Sequence, residues 1–212
     1  MRIKETKVYP FDELSDDAKQ KAIDRYRYKN NDLFWDDENR ETLNAFERVF
    51  PIKIKDWEYG YRNYISFEMT VEHDEIEELT GWRLVSYLWN NYRTDLYKGR
   101  YYNVKANHPV RHKRVTSKTF KNGNTHNAYR SAVFFENSCP LTGYCMDDDI
   151  LEDIYKYINK PDGRTFKELL NDCLYNWIKA CNADVEYQNS DEFITEEIKN
   201  REYEFDECGN IA

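Results

Sequence analysis

Hydrophobic and polar positions change period several times along the chain, and each change marks an element. Lys7 to Phe11 reads as a short strand or extended lead-in. Ser15 then stands where a helix N-cap is needed, with Asp16 and Asp17 in a first turn where the helix dipole favours negative charge. Ala18, Ala22 and Tyr26 recur at i, i+4 and i+8, which predicts a helix over 16–29. A second helix, over 35–49, carries Trp35, Leu43, Phe46 and Val49, and Pro51 stops it. The period then falls to two. "IKIKDW" sets Ile52 and Ile54 against Lys53 and Lys55, and "YISFEMTV" sets Ile65, Phe67, Met69 and Val71 against Tyr64, Ser66, Glu68 and Thr70. With Gly60 between them, the two runs predict a hairpin with one buried face. Leu84, Leu88, Tyr92 and Leu96 form the stripe of a helix over 80–97, widened by Val85 and Trp89.

The last third of the chain is helical by the same test. Ile150, Leu151, Ile154, Tyr155 and Ile158 share one face, ended by "KPDG". Thr165 and Glu168 match a capping box ahead of Phe166, Leu169, Leu170, Cys173, Leu174, Trp177, Ile178 and Cys181, which predicts a core helix over 165–181. Ser190 caps a last short helix ending near Asn200, and "YEFDECGN" closes as strand and turn. No internal repeat and no long Pro/Gly/Ser linker interrupts the pattern. The expected architecture is a single α+β domain over 1–212, with antiparallel strands and hairpins packed against amphipathic helices.

Composition narrows the class. Hydrophobic residues at 40% and aromatics at 16% exclude a disordered chain despite 33% charged residues. A chain of 212 residues buries roughly 70% of its unfolded surface and needs neither disulfide nor metal for its core. The 18 tyrosines are open to two readings: an amphipathic contact surface, or the codon bias of an AT-rich genome. Five cysteines, an odd number at uneven spacing, suit a reducing cytosol. "MRIKETKVYPFDEL" has no apolar core of a signal peptide, and no run approaches the length of a membrane span. A soluble, cytoplasmic protein is expected.

Two short segments carry a resemblance. "KVYPFDELSDDAKQKAIDRYR" near the start and "ITEEIKNREYEFDECGN" at the end resemble the signatures of a family of small phage and prophage proteins. Members open with a valine-tyrosine-x-phenylalanine-aspartate-glutamate-leucine-serine motif and a helix, and close with a glutamate-rich helix and a "YEF…G" strand. The likeness covers about a fifth of the chain, and "YGYRNYISFEM" stands where members usually carry a glycine-rich segment. It implies a phage origin, the host bacterial cytoplasm and an α+β fold. Phage accessory proteins of this size include counter-defence inhibitors, anti-CRISPR proteins among them.

Charge is distributed unevenly. From Lys98 to Phe135 there is no Asp or Glu, while nine Lys and Arg and three of the four histidines fall there. The remainder of the chain holds 22 bases against 40 acids. Within the basic stretch Asn122-Gly123 is the signature of a two-residue type I′ turn. That turn pairs Thr119 with His126, Ser117 with Ala128, Phe120 with Thr125, Lys118 with Asn127 and Thr116 with Tyr129. Neither face near the tip is apolar enough for a core, so residues 99–135 read as a basic protruding hairpin. Candidate contact residues for a partner or nucleic acid are Lys105, Arg111, Lys113, Arg114, Lys118, Lys121, Tyr129 and Arg130, the tyrosine by stacking. Three readings stand side by side: acids of the same chain neutralise the segment, it meets the phosphates of a nucleic acid, or it meets an acidic protein patch. Residues 184–207 add ten acids against Lys199 and Arg201, a surface suited to a positively charged channel.

Catalytic signatures are weak. His108, His112, Cys139 and Cys145 are a poor zinc set, since Pro109 breaks the helix the histidines need and the cysteine spacing is wide. His126-Asn127 lacks the companion His or Asp of a His-Asn nuclease. Asp147–Asp149 sits where a helix N-terminus attracts acids without any Mg²⁺. No P-loop, nucleophile elbow or dinucleotide fingerprint occurs. The sequence therefore predicts a non-enzymatic protein with no cofactor. The leading expectation is a counter-defence inhibitor that blocks a host CRISPR effector nuclease or its guide RNA complex. A phage nucleic-acid-binding regulator is the alternative.

Overall fold

The computed structural model describes residues 7–29, 35–97, 99–102, 117–119, 125–127, 132–135 and 139–212, with the backbone alone for the short strands between 99 and 135. In chain order the first elements are β1 (Tyr9–Pro10), α1 (Asp16–Lys29), α2 (Asp36–Val49), β2 (Ile52–Glu58), β3 (Tyr64–Met69) and α3 (Gly81–Leu96). Four short strands follow: β4 (Gly99–Tyr102), β5 (Ser117–Thr119), β6 (Thr125–Asn127) and β7 (Ala132–Phe135). The chain ends with α4 (Met146–Asn159), α5 (Phe166–Gln188), α6 (Asp191–Asn200) and β8 (Glu204–Phe205). The fold is α+β. Its strands pair two by two, as β1 with β8, β2 with β3, β4 with β7 and β5 with β6.

Helix starts follow the capping chemistry written in the sequence. The Ser15 hydroxyl accepts from the Ala18 N–H at 3.3 Å, and the Ser190 hydroxyl accepts from the Phe193 N–H at 3.2 Å. The Thr165/Glu168 box closes in both directions. Thr165 N–H donates to the Glu168 carboxylate at 2.8 Å, and Glu168 N–H donates to the Thr165 hydroxyl at 3.2 Å.

The chain separates into two compact units. One gathers the residues up to Arg40 with Trp57–Tyr64 and Ile178–Ala212, and the other Glu41–Asp56 with Ile65–Trp177. In the first, α1 buries Ala18, Ala22, Ile23 and Tyr26 in a cluster with Phe11, Leu14, Ile194, Ile198 and Phe205. The two ends of the chain therefore share one core. β1 and β8 run antiparallel, with Tyr9 opposite Phe205. Phe11 meets Phe205 edge-on at 6.0 Å, and Lys199 pairs with Asp12 at 2.7 Å. Beyond β8, the Asp206 carboxylate accepts from the N–H groups of Cys208 and Asn210, both at 2.9 Å, and folds a turn that lowers Gly209 onto α1.

In the second unit, Phe166, Leu169, Leu170, Cys173, Leu174 and Trp177 of α5 are buried, as are Leu84, Leu88 and Leu96 of α3 and Ile150, Leu151 and Ile154 of α4. Ring contacts run from Phe46 to Phe50, on to Tyr92 and then to Phe166. Ile52 and Ile65 are buried while Lys53, Lys55, Ser66 and Glu68 face solvent, so the period-two reading of β2 and β3 holds.

Four details differ from the sequence reading. The N-terminal strand is only two residues long, because Phe11–Glu13 turn into a 3₁₀ helix. Helix α5 continues seven residues past Cys181 to Gln188. The apolar stripe thins there, but no Gly or Pro occurs, and the Tyr187 ring packs against Trp35 and Phe193. On α4 the buried tyrosine is Tyr157, whose hydroxyl accepts from the Gly81 N–H at 2.6 Å, while Tyr155 is half-buried and donates to the Leu96 carbonyl.

The fourth difference concerns the basic stretch. The observed register puts Ser117 opposite Asn127, Lys118 opposite His126 and Thr119 opposite Thr125. This is one residue out from the pairing that a two-residue Asn122-Gly123 turn imposes. The Asn122-Gly123 turn itself lies outside the described residues. A slip of one exchanges the residues that share a face, so Ser117 and Thr119 oppose Asn127 and Thr125 in place of Ala128 and His126.

Candidate partner-binding surfaces

The segment Lys98–Phe135 leaves and returns along paired strands. β4 and β7 are antiparallel, with Gly99 opposite Phe135 and Tyr102 opposite Ala132, and β5–β6 lies between them in sequence. Of the candidate contact residues, Lys118 falls in β5 opposite His126. Lys105, Arg111, Lys113, Arg114, Lys121, Tyr129 and Arg130 lie outside the described residues, as do Asn122-Gly123, His108 and His112.

The acidic counterpart is described in full. Glu186, Glu192, Glu196, Glu202, Glu204 and Glu207 are exposed, and none forms an ion pair among the described residues. Glu192 and Glu196, four apart on α6, share a face. Other acids of this region are engaged: Asp191 binds Arg27, Glu197 binds Arg201 at 3.1 Å, and Asp206 holds its own turn. The Asn210 side chain and the turn N–H groups keep the Asp206 carboxyl below its usual range.

A third surface was not singled out from the sequence. The loop between β2 and β3, "YGYRN", is fixed in place by Asn182 of α5. The Gly60 N–H donates to Asn182 Oδ1 at 2.7 Å. Asn182 Nδ2 donates to Asn63 Oδ1 and to the Ile178 carbonyl, each at 2.9 Å. Tyr59 stacks on Trp57 and donates to Asp36. Burial and the Asp36 carboxylate push its phenol up. Gly60 takes a φ of +90°, and past it Tyr61 stands 85% exposed beside exposed Arg62. A rigid loop that presents Tyr and Arg has the composition of an interface anchor. The signal was present in the sequence, as aromatics flanking a glycine in a hairpin loop; what pins the loop lies more than a hundred residues away.

Within the acidic triplet, Asp147 holds the preceding loop. Asp147 is fully buried. Its Oδ2 accepts from the N–H groups of Leu141, Thr142 and Gly143 at 2.9, 2.7 and 3.1 Å, and its Oδ1 from the hydroxyls of Thr142 and Thr42 at 2.7 and 3.2 Å. A carboxylate so occupied organises a loop and has no lone pairs left for a cation. Among the described residues, no group of three or more His, Cys, Asp or Glu is arranged to hold a metal ion. A surface cleft of about 490 Å³ is lined by Asp74, Glu75, Glu78, Leu79, Thr80 and Arg83, without a His, Cys or Ser. No described helix is long and apolar enough to cross a membrane.

No family model matches the chain, and no characterised protein or solved structure is significantly similar to it.

Proposed function

We propose that the chain is a non-catalytic phage counter-defence protein that binds and blocks a host nucleic-acid-guided nuclease complex. The observation that carries this reading is the separation of charge. An acid-free segment bearing nine bases includes the paired strands β4 and β7, on a chain that is otherwise strongly acidic. Such a molecule suits a partner that is itself two-signed, with phosphates of a guide RNA and the basic channel that holds them. The basic segment would meet the phosphates or an acidic patch, and the exposed glutamates near the C-terminus would meet the channel. The fixed loop carrying Tyr61 and Arg62 adds an uncharged-plus-cationic anchor to the same surface chemistry. The likeness of the two chain ends to phage proteins supplies the host context, and those two ends share one core.

The test is capture of partners from host lysate on the tagged protein, with and without RNase. A nuclease that stays bound after RNase supports the proposal. Capture of nucleic acid alone, lost on nuclease treatment, replaces it with the regulator reading. Metal-dependent cleavage of DNA or RNA by the purified chain would overturn both.

A further inference from the structure

The loop in front of α4 brings two thiols to one place. Cys139 N–H donates to the Asp148 carboxylate at 3.1 Å, and Asp148 N–H donates to the Cys145 carbonyl at 3.0 Å. One residue therefore ties both ends of the loop. Between those ends, Asp147 gathers the N–H groups of Leu141, Thr142 and Gly143. Cys145 lies within hydrogen-bonding reach of the half-buried Cys139 thiol and is itself exposed. Cys139 also holds a φ of +55°, a left-handed conformation that costs a non-glycine residue and that persists only where the surroundings impose it.

We propose that Cys139 and Cys145 are a redox modification site, forming an intramolecular disulfide that locks this loop when a small disulfide oxidant is present. The exposed Cys145 thiolate attacks one sulfur of the oxidant. The oxidant's S–S bond breaks and its second sulfur leaves as a thiol after taking up a proton. Cys139 then attacks Cys145 Sγ, expelling the remaining half of the oxidant as a second thiol. Two protein thiols are oxidised and one small disulfide is reduced to two thiols.

Burial and the Asp148 carboxylate raise the Cys139 thiol to about 11, which makes the second step slow near neutrality. The loop it closes is the one by which the chain leaves the basic segment, so the bond fixes that exit covalently where hydrogen bonds alone hold it in the reduced protein.

The experiment uses the full chain with oxidised glutathione, followed by alkylation of free thiols and peptide mass mapping. The expected product is a Cys139–Cys145 linked peptide, lighter by two hydrogens, with neither thiol alkylated. Exposed Cys208 serves as the internal reference, ending as a free thiol or a mixed disulfide. In Cys139→Ser, Cys145 should stop at a persistent mixed disulfide with glutathione. The proposal is overturned if wild-type Cys145 accumulates as that mixed disulfide while Cys139 stays alkylatable, or if Cys145 links to any other cysteine.

Discussion

Replacing Gly209 by alanine tests the closure of the two chain ends. A Cβ at this position would stand 2.3 Å from the Ala18 carbonyl oxygen, 3.1 Å from the Ala18 carbonyl carbon and 3.3 Å from the Ala22 nitrogen. All three are backbone atoms of α1, so no side chain can swing aside. The φ of +76° adds a left-handed penalty of about 1–2 kcal/mol for a residue with a Cβ. Relieving the overlap requires the turn to lift by roughly 1 Å, an overpacking cost of about 1–3 kcal/mol. Together these give roughly 2–5 kcal/mol. Gly60→Ala is the internal control. Its φ of +90° carries the same conformational penalty, but nothing lies within 4 Å of the added Cβ. Urea denaturation of both variants should therefore show Gly209→Ala costing about 1–3 kcal/mol more than Gly60→Ala. At about 2–4 °C per kcal/mol for a chain this size, its melting temperature should fall by roughly 4–20 °C. Equal costs for the two variants, within about 0.5 kcal/mol, would refute the contact between the C-terminal turn and α1.

The other stability predictions concern named contacts. Trp177, fully buried in α5, should cost roughly 3–5 kcal/mol on truncation to Ala, measured by the same denaturation. Asp147→Ala orphans three backbone N–H groups and two hydroxyls and should cost about 3–5 kcal/mol, while speeding hydrogen exchange at Leu141, Thr142 and Gly143; unchanged exchange there would remove Asp147 from its role. Two carboxylates predict opposite pH dependence. Asp206 is depressed by its hydrogen bonds, so its contribution is present above its ordinary value of 3.8 and is lost as pH falls below it; Asp206→Asn should be destabilising at neutral pH and progressively less so as pH falls below 3.8. Asp184 is raised by burial, so its ionised form costs stability above that raised value; Asp184→Asn, which keeps an acceptor for Asn39, should stabilise at pH 7 and lose that advantage in acid.

Much of the secondary structure was legible because local chemistry dictates it. Ser15, Ser190 and the Thr165/Glu168 pair announce helix starts through hydrogen bonds made within three residues, and the structure makes each of them. Where non-local packing decides, the sequence was silent. Helix α5 outruns its apolar stripe where Tyr187 packs on Trp35, distant in the chain, and on Phe193 of the next helix. The register of β5 and β6 differs by one residue from the one that a two-residue Asn-Gly turn sets. Asp147 read as an ordinary first-turn acid, since its five donors are visible only once the preceding loop has curled around it. Of the candidate contact surfaces, the basic segment is read from composition alone. The Tyr61 loop becomes a candidate only in the structure, because what fixes it is Asn182, far away in sequence.

The central claim, that the basic segment is a contact arm, is tested most directly by charge reversal and salt. Lys113, Arg114, Lys118 and Lys121 are changed together to Glu, and binding to the captured partner is measured from about 0.1 M to about 1 M salt, over which the Debye length falls from roughly 10 to roughly 3 Å. The account predicts that wild-type affinity drops steeply with salt and that the variant binds at least about tenfold more weakly at low salt. Its melting temperature should stay close to wild type if these charges belong to a solvated arm, because surface substitutions move stability by about 0.5 kcal/mol each at most. Undiminished binding by the variant would contradict the claim. So would a collapse of its melting temperature, which would show these bases neutralising acids of their own chain.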